Sequence, residues 1–358
     1  MVGLAGCVSP AGEADDGGAD PRLLWQVQGF GQAQGEPVMA GDLVVVASDS
    51  GVAAYHKTTG AVAWRDANRD TRGSRRLLYY AGRVFYAGVA SAGAYDVSTG
   101  TLLWRREFTY ASSPDYAQPA VDDGALYLGT RDRRIVALER ESGRALWDVR
   151  GDDPSWIGGE AGGVAVSGDT VYAAMNRMLT SNRYRLTVVI VALDRGSGRE
   201  LWRSQSADEF TAGGAPVVAG RLLVAGGGAD GGTIAVDRFT GREAWNRDLY
   251  GYVWGAPVLA GERIYLGTQA ARLYALDSSS GQVAWATPLE GGSTYLAQCG
   301  RSLVVENYQI EMFDRESGKQ VGRKIALAPG DFVSSGIAVS DGAAFFSGQR
   351  DVYGIRCD

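Results

Sequence analysis

Apolar and polar positions along this chain alternate in short runs separated by glycine turns, and residues 257–285 show the unit. Pro257-Val258-Leu259-Ala260 is an apolar run, turned by Gly261-Glu262-Arg263 into Ile264-Tyr265-Leu266-Gly267. Arg272-Leu273-Tyr274-Ala275-Leu276-Asp277 then alternates as a half-buried strand does. Ser278 to Gly281 turn the chain again, and Gln282 to Trp285 supply an outer strand. The pattern predicts four short strands per unit.

The unit recurs. Aligned on the Trp after a Ser/Thr-Gly pair, copies lie at Thr59-Gly60 to Trp64, Thr99-Gly100 to Trp104, and Ser142-Gly143 to Trp147. Three more follow at Ser197-Gly198 to Trp202, Thr240-Gly241 to Trp245, and Ser280-Gly281 to Trp285. A seventh, Ser317-Gly318 to Gly322, keeps the turn and loses the Trp. Successive Trp residues stand 40, 43, 55, 43 and 40 positions apart. Strand-rich periods of this length indicate propeller blades. Asp96, Asp194, Asp237, Asp277 and Asp314, with Glu139 in the third copy, open the turns, where a carboxylate can bond backbone two residues on.

The ends of the chain complete each other. Residues 337–342, 343–347 and 352–356 read as three strands of a further blade, after which the chain stops. The missing outer strand is Leu23-Leu24-Trp25, 39 residues before Trp64. Termini that share a blade leave no open sheet edge at the ring seam. The expected fold is all-β: an eight-bladed β-propeller of four-stranded antiparallel blades over residues 22–358, its last blade closed by the N-terminal strand.

Composition adds little to this. The 51 glycines and 9 tryptophans suit many short strands, and a formal charge of −6 argues against a nucleic-acid partner. Leu4-Ala5-Gly6-Cys7 has the form of a bacterial lipobox, though only Met1 to Gly3 precede it. The small, acidic run from Ser9 to Asp20 reads as a tether, so residues 1–21 are assigned to a lipobox remnant and flexible linker. Lipid on Cys7 would leave Cys299 and Cys357 as an even pair, suited to one disulfide or to two separate thiols.

The string Tyr274-Ala275-Leu276-Asp277-Ser278-Ser279-Ser280-Gly281-Gln282-Val283-Ala284-Trp285 resembles the pyrroloquinoline-quinone (PQQ) type repeat, and the resemblance covers roughly residues 22–358. Two branches share it. Quinoprotein dehydrogenases hold PQQ with an adjacent-Cys disulfide, a stacking Trp and Ca²⁺; this sequence has no adjacent Cys pair, so no PQQ or other cofactor is expected. The second branch is the lipid-anchored BamB-like propellers of outer-membrane barrel assembly, similar in length, blade number and lipobox. That resemblance implies an extracytoplasmic, lipid-anchored scaffold, here expected as a monomer, that binds a protein or peptide through loops on one face. An enzyme or small-molecule sensor using the channel mouth is the alternative.

Candidate contacts fall in blade connections and in one long hairpin. Arg65, Arg69, Arg72, Arg75 and Arg76 crowd the connection after blade one, Tyr110 and Tyr116 follow blade two, Trp156 follows blade three, and Tyr250, Tyr252 and Trp254 follow blade five. Arg177, Arg183 and Tyr184 belong to an insertion in blade four that accounts for the 55-residue spacing. Arginines with exposed aromatics are hot-spot material; solvated loops and plugs of the channel mouth are the plainer readings. His56, the only His, occupies a turn slot that Asp fills elsewhere, so no Ser-His-Asp triad is expected. Gly226 to Gly231 matches a phosphate-loop string but leads into a strand, which argues for a hairpin.

Overall fold

The structure, a computed structural model, describes residues 20–358 except 34, 69, 70, 73, 75, 110–113, 115–117, 151–160, 179–185, 207–213, 227–231, 254, 293 and 294. It leaves out the side chains of 161, 162, 176–178, 186 and 334 as well. Among the described residues, 31 strands and no α-helix form eight sheets. In the first blade Val38–Ala40, Leu43–Ser48, Gly51–His56 and Val62–Asp66 pair in chain order, innermost first. Residues 78–107, 120–150, 161–205, 217–248 and 258–288 repeat this order. In the fourth blade the strands Thr170–Met178 and Leu186–Asp194 are the longest, in keeping with the insertion.

The ring closes as its ends suggest. Strand Leu23–Gln28 pairs antiparallel with Asp351–Arg356, setting Trp25 opposite Gly354, and completes the sheet begun by Val333–Ser340 and Ala343–Gly348. The seventh blade departs from four regular strands. Leu296–Cys299, Ser302–Asn307 and Gln309–Asp314 form a three-stranded sheet. Residues 319–325 take the outer place through isolated bridges, Gln320 to Phe313 and Ile325 to Ile310. Gly322 stands there in the Trp slot with φ 68°, so no indole holds this segment to the next blade.

Elsewhere each Trp locks its blade to the one that follows. Seven indole Nε1 groups, on Trp25, Trp64, Trp104, Trp147, Trp202, Trp245 and Trp285, donate at 2.7–3.1 Å to a carbonyl in the next blade's turn. The turn glycine lies beneath the ring. A Cβ on Gly143 would stand 2.4 Å from Trp104 Cε3, and its φ of 72° independently favours glycine. The hydrophobic clusters accordingly straddle blades: Phe85, Ala94 and Trp104 of blade two pack with Leu126, Val136 and Leu138 of blade three. No blade buries its own face alone, which is why the unit must repeat.

The turn carboxylates do what their positions suggest. Asp277 Oδ1 accepts from the Ser279 and Ser280 hydroxyls at 2.7 Å and from the Ser280 amide at 2.8 Å. These hydroxyls hold its pKa down at about 2. Cys299 and Cys357 are joined by a disulfide with Cα atoms 5.9 Å apart, linking the inner strand of blade seven to the end of blade eight.

Candidate partner-binding face and channel

In this strand order the second-to-third-strand turns and the blade connections share one face of the disc, and the Asp/Ser-Gly turns share the other. The connections do not hang free. The carbonyl of Gln32 accepts from Asp49 N, that of Arg72 from Val89 N, that of Tyr252 from Gln269 N, and that of Phe332 from Gln349 N, at 2.8–3.1 Å. Each bond pins a connection to the hairpin of the blade it enters. Four equivalent slots result, their backbones fixed and their side chains outward: Gln32, Arg72, Tyr252 at 44% exposure and Phe332 at 40%.

Two further aromatics stand on this face. Tyr250 is 74% exposed, beside the Tyr252 slot. Tyr308 is 67% exposed at the tip of the blade-seven hairpin, between the paired residues Asn307 and Gln309. Its φ is 55°, a left-handed conformation that costs a side-chain-bearing residue about 1–2 kcal/mol. The hairpin tolerates this because its base is tied down. Buried Asn307 donates to the buried Glu311 carboxylate at 2.8 Å, and Lys324 reaches Glu311 at 3.2 Å. The Tyr308 carbonyl also accepts from Val333 N at 3.2 Å.

At the centre, the inner strands enclose a channel of about 650 Å³. Tyr79, Tyr295 and Gln298 line it together with mostly aliphatic residues and one charged pair, Glu36 with Arg76, whose Nε–Oε2 distance is 3.3 Å. Burial raises the Glu36 carboxyl pKa and Arg76 opposes that rise. The Glu36 stem fills the notch left by Gly336, where a Cβ would fall 2.0 Å from Glu36 Cγ.

Among the described residues no three His, Cys, Asp or Glu side chains stand close enough to hold a metal ion. The described tryptophans are committed to the blade seams, and the two described cysteines are 58 residues apart and bonded to each other.

Of the residues singled out from sequence, Arg65, Arg72, Arg76, Tyr250, Tyr252 and the bonded Cys299 and Cys357 are described with their side chains. Arg72 and Tyr252 occupy equivalent face slots, whereas Arg76 turns into the channel against Glu36. Cys7, Arg69, Arg75, Tyr110, Tyr116, Trp156, Arg183, Tyr184 and Trp254 lie outside the described residues, and Arg177 is described by its backbone alone. Sequence reasoning missed Phe332, Gln32, Glu36 and Tyr308. Phe332 and Gln32 were detectable only by aligning connections as well as strands, and nothing local marks Glu36.

The profile of the family described as outer membrane protein assembly factor BamB matches residues 17–93, 48–183 and 186–310. The chain is 25% identical over 275 residues to the outer membrane protein assembly factor BamB of Shewanella oneidensis, covering 71% of this chain and 63% of that protein. It is 28% identical over 232 residues to the 1-butanol dehydrogenase (quinone) of Thauera butanivorans, 58% of this chain and 35% of the enzyme. The match thus spans less than two thirds of either relative. The solved structure of BamB from Moraxella catarrhalis superposes with TM-score 0.72 at 17% identity, over 93% of this chain and 97% of that one, a likeness of fold. With its repeats, its closed ring and a profile match over most of its length, the chain belongs to the BamB family of PQQ-type repeat propellers.

Proposed function

We propose that this chain is a non-catalytic scaffold of the cell envelope that grips a protein or peptide partner on its loop face. The observation that carries the reading is the set of fixed backbone slots with outward side chains, Arg72, Tyr252 and Phe332, flanked by Tyr250 and Tyr308. Rigid aromatic and arginine anchors lose little entropy on binding and dominate interface energetics. Outer membrane protein assembly, named in the BamB relatives, is the proposed setting, with export and a lipid on Cys7 as the route there. The propeller works as a monomer, without cofactor, nucleic acid or membrane contact beyond that lipid.

Photo-crosslinkers at positions 72, 252 and 332 in the source cell should trap one protein, an assembly component, while the same probe at Phe239 on the opposite face traps none. Tyr252→Ala should weaken that association about tenfold or more. Equal capture from both faces would refute the reading. Loss of labelled acyl chain in Cys7→Ala tests the anchor.

A second reading is favoured by one observation. The channel of about 650 Å³, with its Glu36–Arg76 pair, has the size of a small-molecule site. Dye-linked dehydrogenase activity after addition of PQQ and Ca²⁺, abolished in Arg76→Ala, would replace the scaffold with an enzyme.

A further inference from the structure

The seams between blades are filled differently, and among the described residues two stand beside open space: a cavity of about 590 Å³ flanks the seven–eight seam at Cys299 and Cys357, and a second lies between blades three and four. At the eight–one and one–two seams the residue before the turn acid slot is Tyr55 or Tyr95, fully buried against the preceding blade. In blades three to six the same slot is aliphatic, Leu138, Leu193, Val236 and Leu276. The residue two after the lock Trp differs as well. Arg247 in blade five and Thr287 in blade six reach across to the next turn, Arg247 Nη2 to Ser280 O at 2.8 Å and Thr287 Oγ1 to Gly318 O at 2.7 Å. Blade three has Val149 there, which makes no such bond. Val27 takes the Val149 place in the eight–one seam, but Tyr55 stands opposite it there; where Val149 meets Leu193, a cavity of about 310 Å³ lies between blades three and four, open at the rim.

Its walls have two characters. The floor is aliphatic: Ile135 and Val149 from blade three, with Met175, Val191 and Leu193 from blade four. The mouth is cationic: Arg133, Arg150, Arg199 and Arg203 against one carboxylate, Glu200, which Arg203 already holds at 3.1 Å. Arg150 and Arg199 are exposed and form no ion pair among the described residues. A bare anion would leave the floor dry and uncovered, and a neutral hydrocarbon would ignore the arginines.

We propose that this seam binds a small anionic amphiphile, an alkyl carboxylate, with its chain on the Val149–Met175–Leu193 floor and its head against Arg150 and Arg199. At about 30 Å³ per water-sized group, the cavity holds roughly ten non-hydrogen atoms, the size of a medium-chain fatty acid. Arginine suits the head because its fork matches a carboxylate bidentately. The site lies on the side of the disc and does not depend on the loop-face reading.

Calorimetric titration of the full chain with decanoate below its micellar range tests this. Saturable binding of one equivalent is expected, with decanol and acetate each weaker by about tenfold or more, since one lacks the charged hydrogen bonds and the other the buried chain. Leu193→Tyr copies the filling of the eight–one and one–two seams and should abolish binding. Arg199→Glu changes an exposed side chain, leaves the fold intact by circular dichroism, and should weaken decanoate about tenfold while sparing decanol. Decanol as tight as decanoate, or undiminished binding in both variants, would overturn the proposal.

Discussion

The seam between blades seven and eight is where this ring should open first, and the disulfide across it is the perturbation to use. Seven seams carry a Trp lock; this one does not, because Gly322 replaces the indole and the turn that would receive it is the gap between the chain ends. Cys299–Cys357 spans that seam, and both cysteines are buried. Closing a loop of 58 residues removes about 4 kcal/mol of chain entropy from the unfolded state in the loop-closure treatment. Cys299→Ala/Cys357→Ala should therefore lower unfolding free energy in guanidinium titration by about 3–4 kcal/mol, with a steeper transition because the unfolded chain, freed of its cross-link, exposes more surface. Hydrogen exchange adds the location. Amides of Leu296–Cys299 and Val333–Ser340, the inner strands on either side of the one seam without a Trp lock, should lose protection before those of the other inner strands. A loss under about 1 kcal/mol with uniform exchange would show that the seam needs no fastener and that the argument from missing locks is wrong.

Three other outcomes follow from named contacts. Glu311 fills a slot that is apolar in sister blades (Val136, Ile234, Tyr274) and is 3% exposed beside Lys324, so Lys324→Met should cost about 3–5 kcal/mol. The double variant Glu311→Val/Lys324→Met should recover most of that loss; equal destabilisation by both would refute the buried pair. Gly143→Ala, strained at φ 72° and driven into Trp104, should cost about 2–4 kcal/mol, against about 1 kcal/mol for Gly41→Ala, whose Cβ meets nothing within 4 Å. Thermal unfolding of the two side by side decides it. Asp277 has its folded pKa depressed to about 2 from 3.8, so it stabilises the fold above the unfolded value and that contribution is lost as pH falls from about 4 to about 2. Asp277→Asn should flatten the acid limb of the stability profile, and an unchanged limb would show that the turn carboxylates do not govern it.

The Trp, the Ser/Thr-Gly pair and the turn acid recur because each blade must bury its Trp under the next blade's turn, so a contact between blades becomes a period along the chain. That is why blade number and ring closure were legible without coordinates: Trp25 had no blade of its own, and residues 337–356 had no outer strand. The pairing of Cys299 with Cys357 was open in the sequence, because only the closed ring brings the two together. The face slots show the same limit. Phe332 and Gln32 are equivalent to Tyr252 through one backbone bond to the next hairpin, and no side-chain rule ties those three residue types together. Glu36 meets Arg76 because two neighbouring inner strands run parallel at the channel, a proximity 40 positions apart. The arginine-rimmed cavity lies furthest from the sequence signal. Val149 and Leu193 are ordinary apolar strand residues, and only the packed seam shows that they meet across an open cavity. Repetition dictated the scaffold because it is enforced between neighbours; the sites fall where repetition lapses, and what a lapse exposes depends on everything packed around it.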